Sequence, residues 1–367
     1  MKDDPYLRWM ISLELDIAHA GRLLKRFGSG RAVFAHGARG DARLDAKVAA
    51  AANRGQLEAA NRSGDFEFIS RDNPKFPLRL KNIKDSPLGL FVKGNIPENF
   101  EHTPVVAIIG SRDNSIYGRQ VTTKIAADLA KLGIIIASGM ARGLDAYAHS
   151  AALSAGGPTI AVLPSGIDVC YPPSNSGLYR KIPSHGAVLT EFPMGFRPQK
   201  WSFPARNRII SALADVLIVT EARAKSGTFT TVNHALNQGK EVLAVPGNIL
   251  VPHSVGTNLL IKEGAGVITS YLDALVALKN QKHLHKFFEA AKPEFSRSQG
   301  SFDNKTKNLP LATDEALVYS CINYEPQSIE YIVKKTNLDV AAVNKCLFDL
   351  ELSGMAKKLA GNNYIKV

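Results

Sequence analysis

The stretch VVAIIGSRDNSIYG, Val105–Gly118, decides the fold. Its five apolar residues, Val105 to Ile109, read as a buried strand, Gly110-Ser111-Arg112 as a tight turn, and the run from Val121 through Ala126 as the opening turns of a helix. A strand, a glycine turn and a helix form the unit with which nucleotide-binding sheets cradle phosphate, but Arg112 stands where the second glycine of a G-x-G fingerprint would be. A full positive charge at that position implies an anion that is not held by backbone amides alone.

The same alternation continues through Ile134–Ala137, Thr159–Leu163, Ala187–Thr190, Val216–Thr220, Glu241–Val245 and Gly266–Thr269, separated by helical segments. These runs are continuously apolar, as expected when helices cover both faces of a parallel sheet, so residues 66–279 read as a Rossmann-like, doubly wound α/β domain. Residues 1–65 show helical spacing and no strand pattern, and a Pro-rich passage, Arg71 to Pro77, separates them from the strand-like Gly89–Gly94. Residues 280–310 are polar, basic and aperiodic, the composition of a linker. In 311–367, helical segments Glu315–Ile322, Ile329–Lys335 and Val340–Leu352 precede two short strands, Met355–Leu359 and Tyr364–Val367, around a Gly361-Asn362-Asn363 turn, which is the pattern of a winged helix.

The chain has 367 residues, of which 45% are hydrophobic, room for more than one core. Its net charge of +12 favours a polyanionic partner. Six lysines against seven acids in 311–367, and eleven basic against eight acidic groups in 1–65, leave +10 for the sheet domain and linker. A near-neutral winged helix gains little from releasing counterions, so it suits protein contact as well as DNA contact. The three cysteines are far apart and fit a reducing cytoplasm; no zinc spacing, cofactor fingerprint or membrane-length apolar run occurs.

Ligands of a parallel α/β sheet lie beyond the carboxyl ends of its strands. There the chain repeatedly places small residues beside cations: Gly110, Ser111 and Arg112; Ser138, Gly139 and Arg142; Ser165 and Gly166; Lys225, Ser226 and Gly227. Before the strand at Val216, Lys200, Arg206, Asn207 and Arg208 are interleaved with Trp201 and Phe203, a composition that suits a groove holding backbone charge and stacking bases. Asp145 and His149, four apart on a helix, are read as structural because no nucleophile accompanies them.

The blocks AIIGSRDNSIYG, ASGMARGLDAYAHSAAL, TIAVLPSGIDVCYPPSN, LTEFPMG, FPARNRIISALAD, EARAKSGTFTT, EVLAVPGNI and GTNLLIKEGA, spread from about Pro74 to Asp273, resemble the DNA-processing protein A (DprA/Smf) family. The resemblance implies an N-terminal sterile-alpha-motif-like module, a Rossmann-like domain that dimerises, and a C-terminal winged helix. It also implies a non-enzymatic, cytoplasmic protein of natural transformation that binds incoming single-stranded DNA and loads RecA recombinase onto it. In that family the positions matching Arg112, Lys200 and Phe203 contact phosphates and stack a base.

Two other readings are distinguishable. Phosphoribohydrolases on a similar sheet carry a catalytic glutamate after a glycine-rich turn, and the comparable segment here, Lys225 to Thr231, has no acid. A duplex-binding regulator would read DNA through the winged helix instead of the sheet.

Overall fold

The computed structural model describes residues 4–41, 43–97, 99–290, 313–323, 326–359 and 361–366. The chain divides into two compact units, one up to residue 291 and one from residue 292.

The first unit is built on a nine-stranded sheet: β1 Glu67–Ser70, β2 Gly89–Gly94, β3 Val105–Ile109, β4 Ile135–Ser138, β5 Thr159–Val162, β6 Gly186–Thr190, β7 Val216–Val219, β8 Glu241–Ala244 and β9 Gly266–Val267. The order is β1-β2-β6-β5-β4-β3-β7-β8-β9. β3 through β9 run parallel, and β2 pairs antiparallel with both β6 and β1. From β3 the chain winds outward through β4, β5 and β6, then returns to place β7 on the other flank of β3. The switch point of a doubly wound sheet therefore lies between the carboxyl ends of β3 and β7, where diverging connections open a crevice.

Burial explains the apolar runs. Every residue of β3, β4, β5 and β7 is buried. Successive side chains enter different cores: Ile160, Val162, Ala187 and Leu189 join Ile209, Leu213 and Val232, whereas Ala161, Leu163 and Val188 join Trp9, Met10, Val33 and Val48 of the N-terminal helices. The helical module thus shares a core with one sheet face.

That module consists of helices Pro5–Ser12, Ile17–Phe27, Gly30–Ala38, Ala46–Ala51 and Arg54–Ala60, started by the side chains of Asp4, Asp16, Ser29, Asp45 and Asn53, each accepting from a backbone N–H of the first turn. β1 was not expected from the sequence; it forms a hairpin with β2 across the Pro-rich passage. The expected linker begins later than residue 280, because Lys282–Leu284 form a 3-10 turn and His285–Ala290 a helix, with Leu284 fully buried. Residues 291–310 lie outside the described residues.

At the amino ends of the two switch-point strands a buried carboxylate ties the sheet together. Asp215, 2% exposed, accepts from Arg79 Nη1 (2.8 Å) and from the amide of Val105 (2.8 Å), and Arg79 also donates to the carbonyls of Leu213 and Thr103. The charges are thus paired and hydrogen-bonded, the condition under which burial is tolerated.

The second unit has helices Thr313–Cys321, Ile329–Thr336 and Val340–Leu352 and a three-stranded sheet of β10 Gln327–Ser328, β11 Ala356–Leu359 and β12 Asn363–Lys366, ordered β10-β12-β11. Val343, Leu347 and Leu350 are buried with Val318, Ile332 and Tyr364. The last helix exposes Val340, Phe348 and Leu352 by 56%, 59% and 72%, an apolar outer face. No helix among the described residues is long and apolar enough to cross a membrane.

His149 supplies a pH test of the first unit. It is fully buried against Thr159 Oγ1 (2.7 Å), and burial, reinforced by Arg206, holds its pKa down at about 3. The unfolded chain then binds a proton that the folded chain refuses as pH falls from 6.5 towards 3, so stability is lost across that window. Acidification from pH 7 to 5 is expected to cost about 2 kcal/mol through this group. Urea unfolding at both pH values should show a smaller loss in His149→Gln; an equal loss would contradict the assignment.

Candidate nucleic-acid interface

At the switch point a cleft of about 420 Å³ opens between the turn after β3 and the loop after β7. Gly110, Ser111 and Arg112 line it on one side, Lys225, Ser226 and Gly227 on the other, and Phe203, Arg206 and Asn207 from helix Ser202–Leu213. Arg112, Lys225 and Gly227 are exposed; Phe203, Asn207 and Ser226 are half-buried. The Arg112 guanidinium lies over the Phe203 ring, 5.1 Å from its centroid, and Tyr171 meets the same ring edge-on at 5.7 Å.

The helix that follows β3, Ile116–Lys131, is where a dinucleotide fold would receive pyrophosphate. Here that position is filled from inside. Glu221, just past β7 and 1% exposed, accepts from the Ser115 amide (2.9 Å) and the Ser115 hydroxyl (2.6 Å), while its own carbonyl accepts from the Ser111 amide (2.9 Å). A Cβ on Gly118 would fall 2.3 Å from Glu221 Oε2, so the glycine admits the carboxylate. The protein's own carboxylate thus occupies the Ser115 end of this helix, whereas Ser226, Gly227 and Thr228, at the start of helix Thr228–Asn237, remain in the cleft lining. Sequence reading missed Glu221 and Tyr171, although both lie in blocks it singled out; nothing in the spacing joins residues 115 and 221.

A second arginine works beneath the surface. Arg206, 3% exposed, donates to the carbonyls of Gly139 and Val162 and to Asn207 Oδ1. Burial lowers its pKa to about 10, against the pull of Asp145, so it stays charged at neutral pH. A Cβ on Gly139 would lie 2.6 Å from this guanidinium, so the glycine lets the β4 loop close over it. Asp145, whose pKa burial raises while Arg206 and the loop amides oppose, accepts from the amides of Gly139 and Ala141. Asp145 and His149 therefore have separate partners and structural tasks.

Several expected ligands are placed elsewhere. The Ser138 hydroxyl is buried and donates to the Ile108 carbonyl (2.6 Å), and that of Ser165 donates to the Val169 carbonyl (2.7 Å). Gly166 is buried, with its N–H on the Phe196 carbonyl. The loop after β5 stands two strands from β3, too far from the switch point to line the main cleft. Arg206 lines the cleft but is buried, with Nη1 on the Gly139 and Val162 carbonyls and Nε on Asn207. Arg208 is buried in an ion pair with Glu191, where it lines a different hollow with Trp201 and residues of the helical module. Lys200 is exposed in the segment entering helix Ser202–Leu213 and is not among the residues lining the cleft. Arg142 is exposed and lines a narrow gap of about 30 Å³ with Arg112, Gly139, Tyr171 and Phe203.

The cleft also contains acids. Arg223 pairs with Asp113 (2.6 Å) across the mouth, an exposed pair worth roughly 0–1 kcal/mol. Among the described residues no group of three or more His, Cys, Asp or Glu could hold a metal ion.

Fold and cleft together define a Rossmann-like α/β protein with an open cationic cleft at its switch point, joined in one chain to a winged helix. The family model for DNA recombination-mediator protein A matches residues 67–279, and that for the DprA winged-helix domain matches 304–362. The chain belongs to the DNA recombination-mediator protein A (DprA/Smf) family. It is 33% identical over 318 residues to protein Smf of Synechocystis, covering 81% of this chain and 79% of the relative. Its fold matches the X-ray structure of DNA processing protein A from Streptococcus pneumoniae with a TM-score of 0.63, at 33% identity over 75% of this chain and 98% of that one. It matches DNA processing protein A from Helicobacter pylori, whose structure was described for its unique single-stranded DNA binding mode, with a TM-score of 0.53, at 34% identity over 59% and 97%.

The internal anion is directly testable. Gly118→Ala should destabilise by roughly 1–3 kcal/mol in urea unfolding, because the new methyl displaces Glu221 from Ser115. Gly21→Ala, with nothing within 4 Å of its added carbon in helix Ile17–Phe27, should instead be neutral or stabilising by up to about 1 kcal/mol.

Proposed function

We propose that this protein binds single-stranded DNA in the switch-point cleft, without sequence selectivity and without a chemical step. The observation that carries the reading is the Arg112–Phe203 pair at the mouth of a cleft whose helix end Glu221 already occupies. A dinucleotide needs that helix end for its single pyrophosphate; successive phosphodiesters need exposed cations, and unpaired bases need a ring or guanidinium plane to stack on. The absence of chemistry is supported by the acids of the cleft, since Asp113 is ion-paired and Asp145 holds loop amides.

The finer parts of the proposal follow the family: protection of incoming DNA in natural transformation, loading of RecA recombinase onto the bound strand, action in the cytoplasm, and a homodimer. Dimerisation is supported by segment 249–259, which exposes Ile249 and Leu250 by 81% and 85%, together with Val255 and Leu259. Sedimentation equilibrium tests the dimer, and recombinase filament assembly on protein-coated strands tests loading. For the winged helix, the apolar outer face of Val340–Leu352 and the balance of six lysines against seven acids favour protein contact.

Titration with single- and double-stranded oligonucleotides over a range of salt tests the binding mode. Arg112→Ala should weaken single-strand binding for every sequence and lower the salt slope by about 0.7, as for one lost phosphate contact. Phe203→Ala should cost on the order of 1–3 kcal/mol with the slope unchanged. A sequence-selective loss in the first variant, or none in the second, would overturn the assigned roles. Removal of residues 311–367 should leave single-strand affinity largely intact; its disappearance would transfer DNA reading to the winged helix.

A further inference from the structure

Beyond the narrow gap beside Arg142, the surface opens again into a hollow of about 460 Å³. Arg142 lines both, so the two are neighbours on either side of that residue. The hollow is formed by Tyr147 and Ser150 on helix Leu144–Ser154, by Ser174 and Asn175, and by Lys181 at the end of helix Ser176–Lys181. Its lining contains two cationic side chains and no carboxylate. Asn175 Nδ2 donates to the carbonyls of Met140 (2.9 Å) and Ala141 (3.1 Å), which fixes this wall against the loop that carries Arg142.

An arginine–ring pair borders this hollow too. Tyr147 lines it, and the Arg119 guanidinium, outside the lining, lies over that ring at 4.9 Å, as Arg112 lies over Phe203 at 5.1 Å. Both arginines are exposed, both rings are half-buried, and each pair stands beside further cations. An arginine held flat on an aromatic ring offers a plane for a base and a charge for a phosphate in one place.

We propose that the hollow lined by Arg142, Tyr147 and Lys181 is a second subsite for the same DNA strand, which leaves the Arg112 cleft past Arg142 and continues to Lys181. This inference rests on the single-strand reading of the first cleft. The two cationic side chains of the second hollow and the absence of carboxylates from its lining select a polyanion over a cationic or zwitterionic ligand. Lys181 contacts a phosphate, Tyr147, braced by Arg119, stacks a base, and Arg142 bridges the two subsites.

Oligothymidines of increasing length, titrated against the full chain, test this. Wild type should gain affinity in two steps, the second when the strand is long enough to pass Arg142. Tyr147→Ala should reduce affinity for long strands by about tenfold, and exposed Lys181→Ala should lower their salt slope by about 0.7, with short strands unaffected in both. Arg112→Ala should weaken binding at every length. If the second step is missing in wild type, or survives unchanged in both variants, the second subsite is overturned while the first cleft stands. If Arg112→Ala has no effect at any length, the single-strand reading itself fails.

Discussion

A single buried carboxylate organises the functional edge of the sheet. Glu221 bonds through its side chain to Ser115, at the start of the helix after β3, and through its carbonyl to Ser111 in the turn before it. One residue beyond β7 therefore fixes the geometry of both walls of the crevice. It also supplies the negative charge that a helix N-terminus attracts, so the most general anion site of a doubly wound fold is closed. On the proposed function, recognition passes to side chains that reach outward from the rim, and an open cleft lined by exposed cations suits a polymer where a closed nucleotide pocket does not.

The arginines separate into two groups by burial. Arg79, Arg206 and Arg208 are buried among carbonyls and carboxylates and brace the sheet, the β4 loop and the contact with Glu191. Arg112 and Arg142, which line the hollows, and Arg119, which lies over Tyr147, are exposed. Desolvation makes the first group costly unless every charge is met by a fixed partner, whereas the second keeps its hydration, which a phosphate would replace on the proposed function. Net charge alone therefore overstates what is available to a polyanion, and the separation shows which cations remain free to act.

Much of the fold was legible in advance because it rests on local pattern. Continuous apolar runs marked the strands from β3 to β9, and helix spacing marked the winged helix, since both follow from the period with which side chains face a core. β1 was not legible: four residues after a helical module carry no period of their own, and they are a strand only because β2 lies beside them. The first part of the expected linker is helical because buried Leu284 anchors it, a contact that polar composition conceals.

By itself, the sequence placed the glycine- and serine-rich turns, Arg112 and the aromatic Phe203 at one sheet edge, because the loops after parallel strands gather where the strands end. Only the tertiary structure decided which turns take part. Strand order places β3 beside β7 and leaves the β5 loop outside the main cleft, and helix Ser202–Leu213 turns Phe203 outward while burying Arg206 and Arg208 beneath it. Neighbours in a sheet are chosen by the winding of the whole chain, and a side chain's exposure by what packs above it; neither quantity is local, so neither is written in the spacing of residues along the chain.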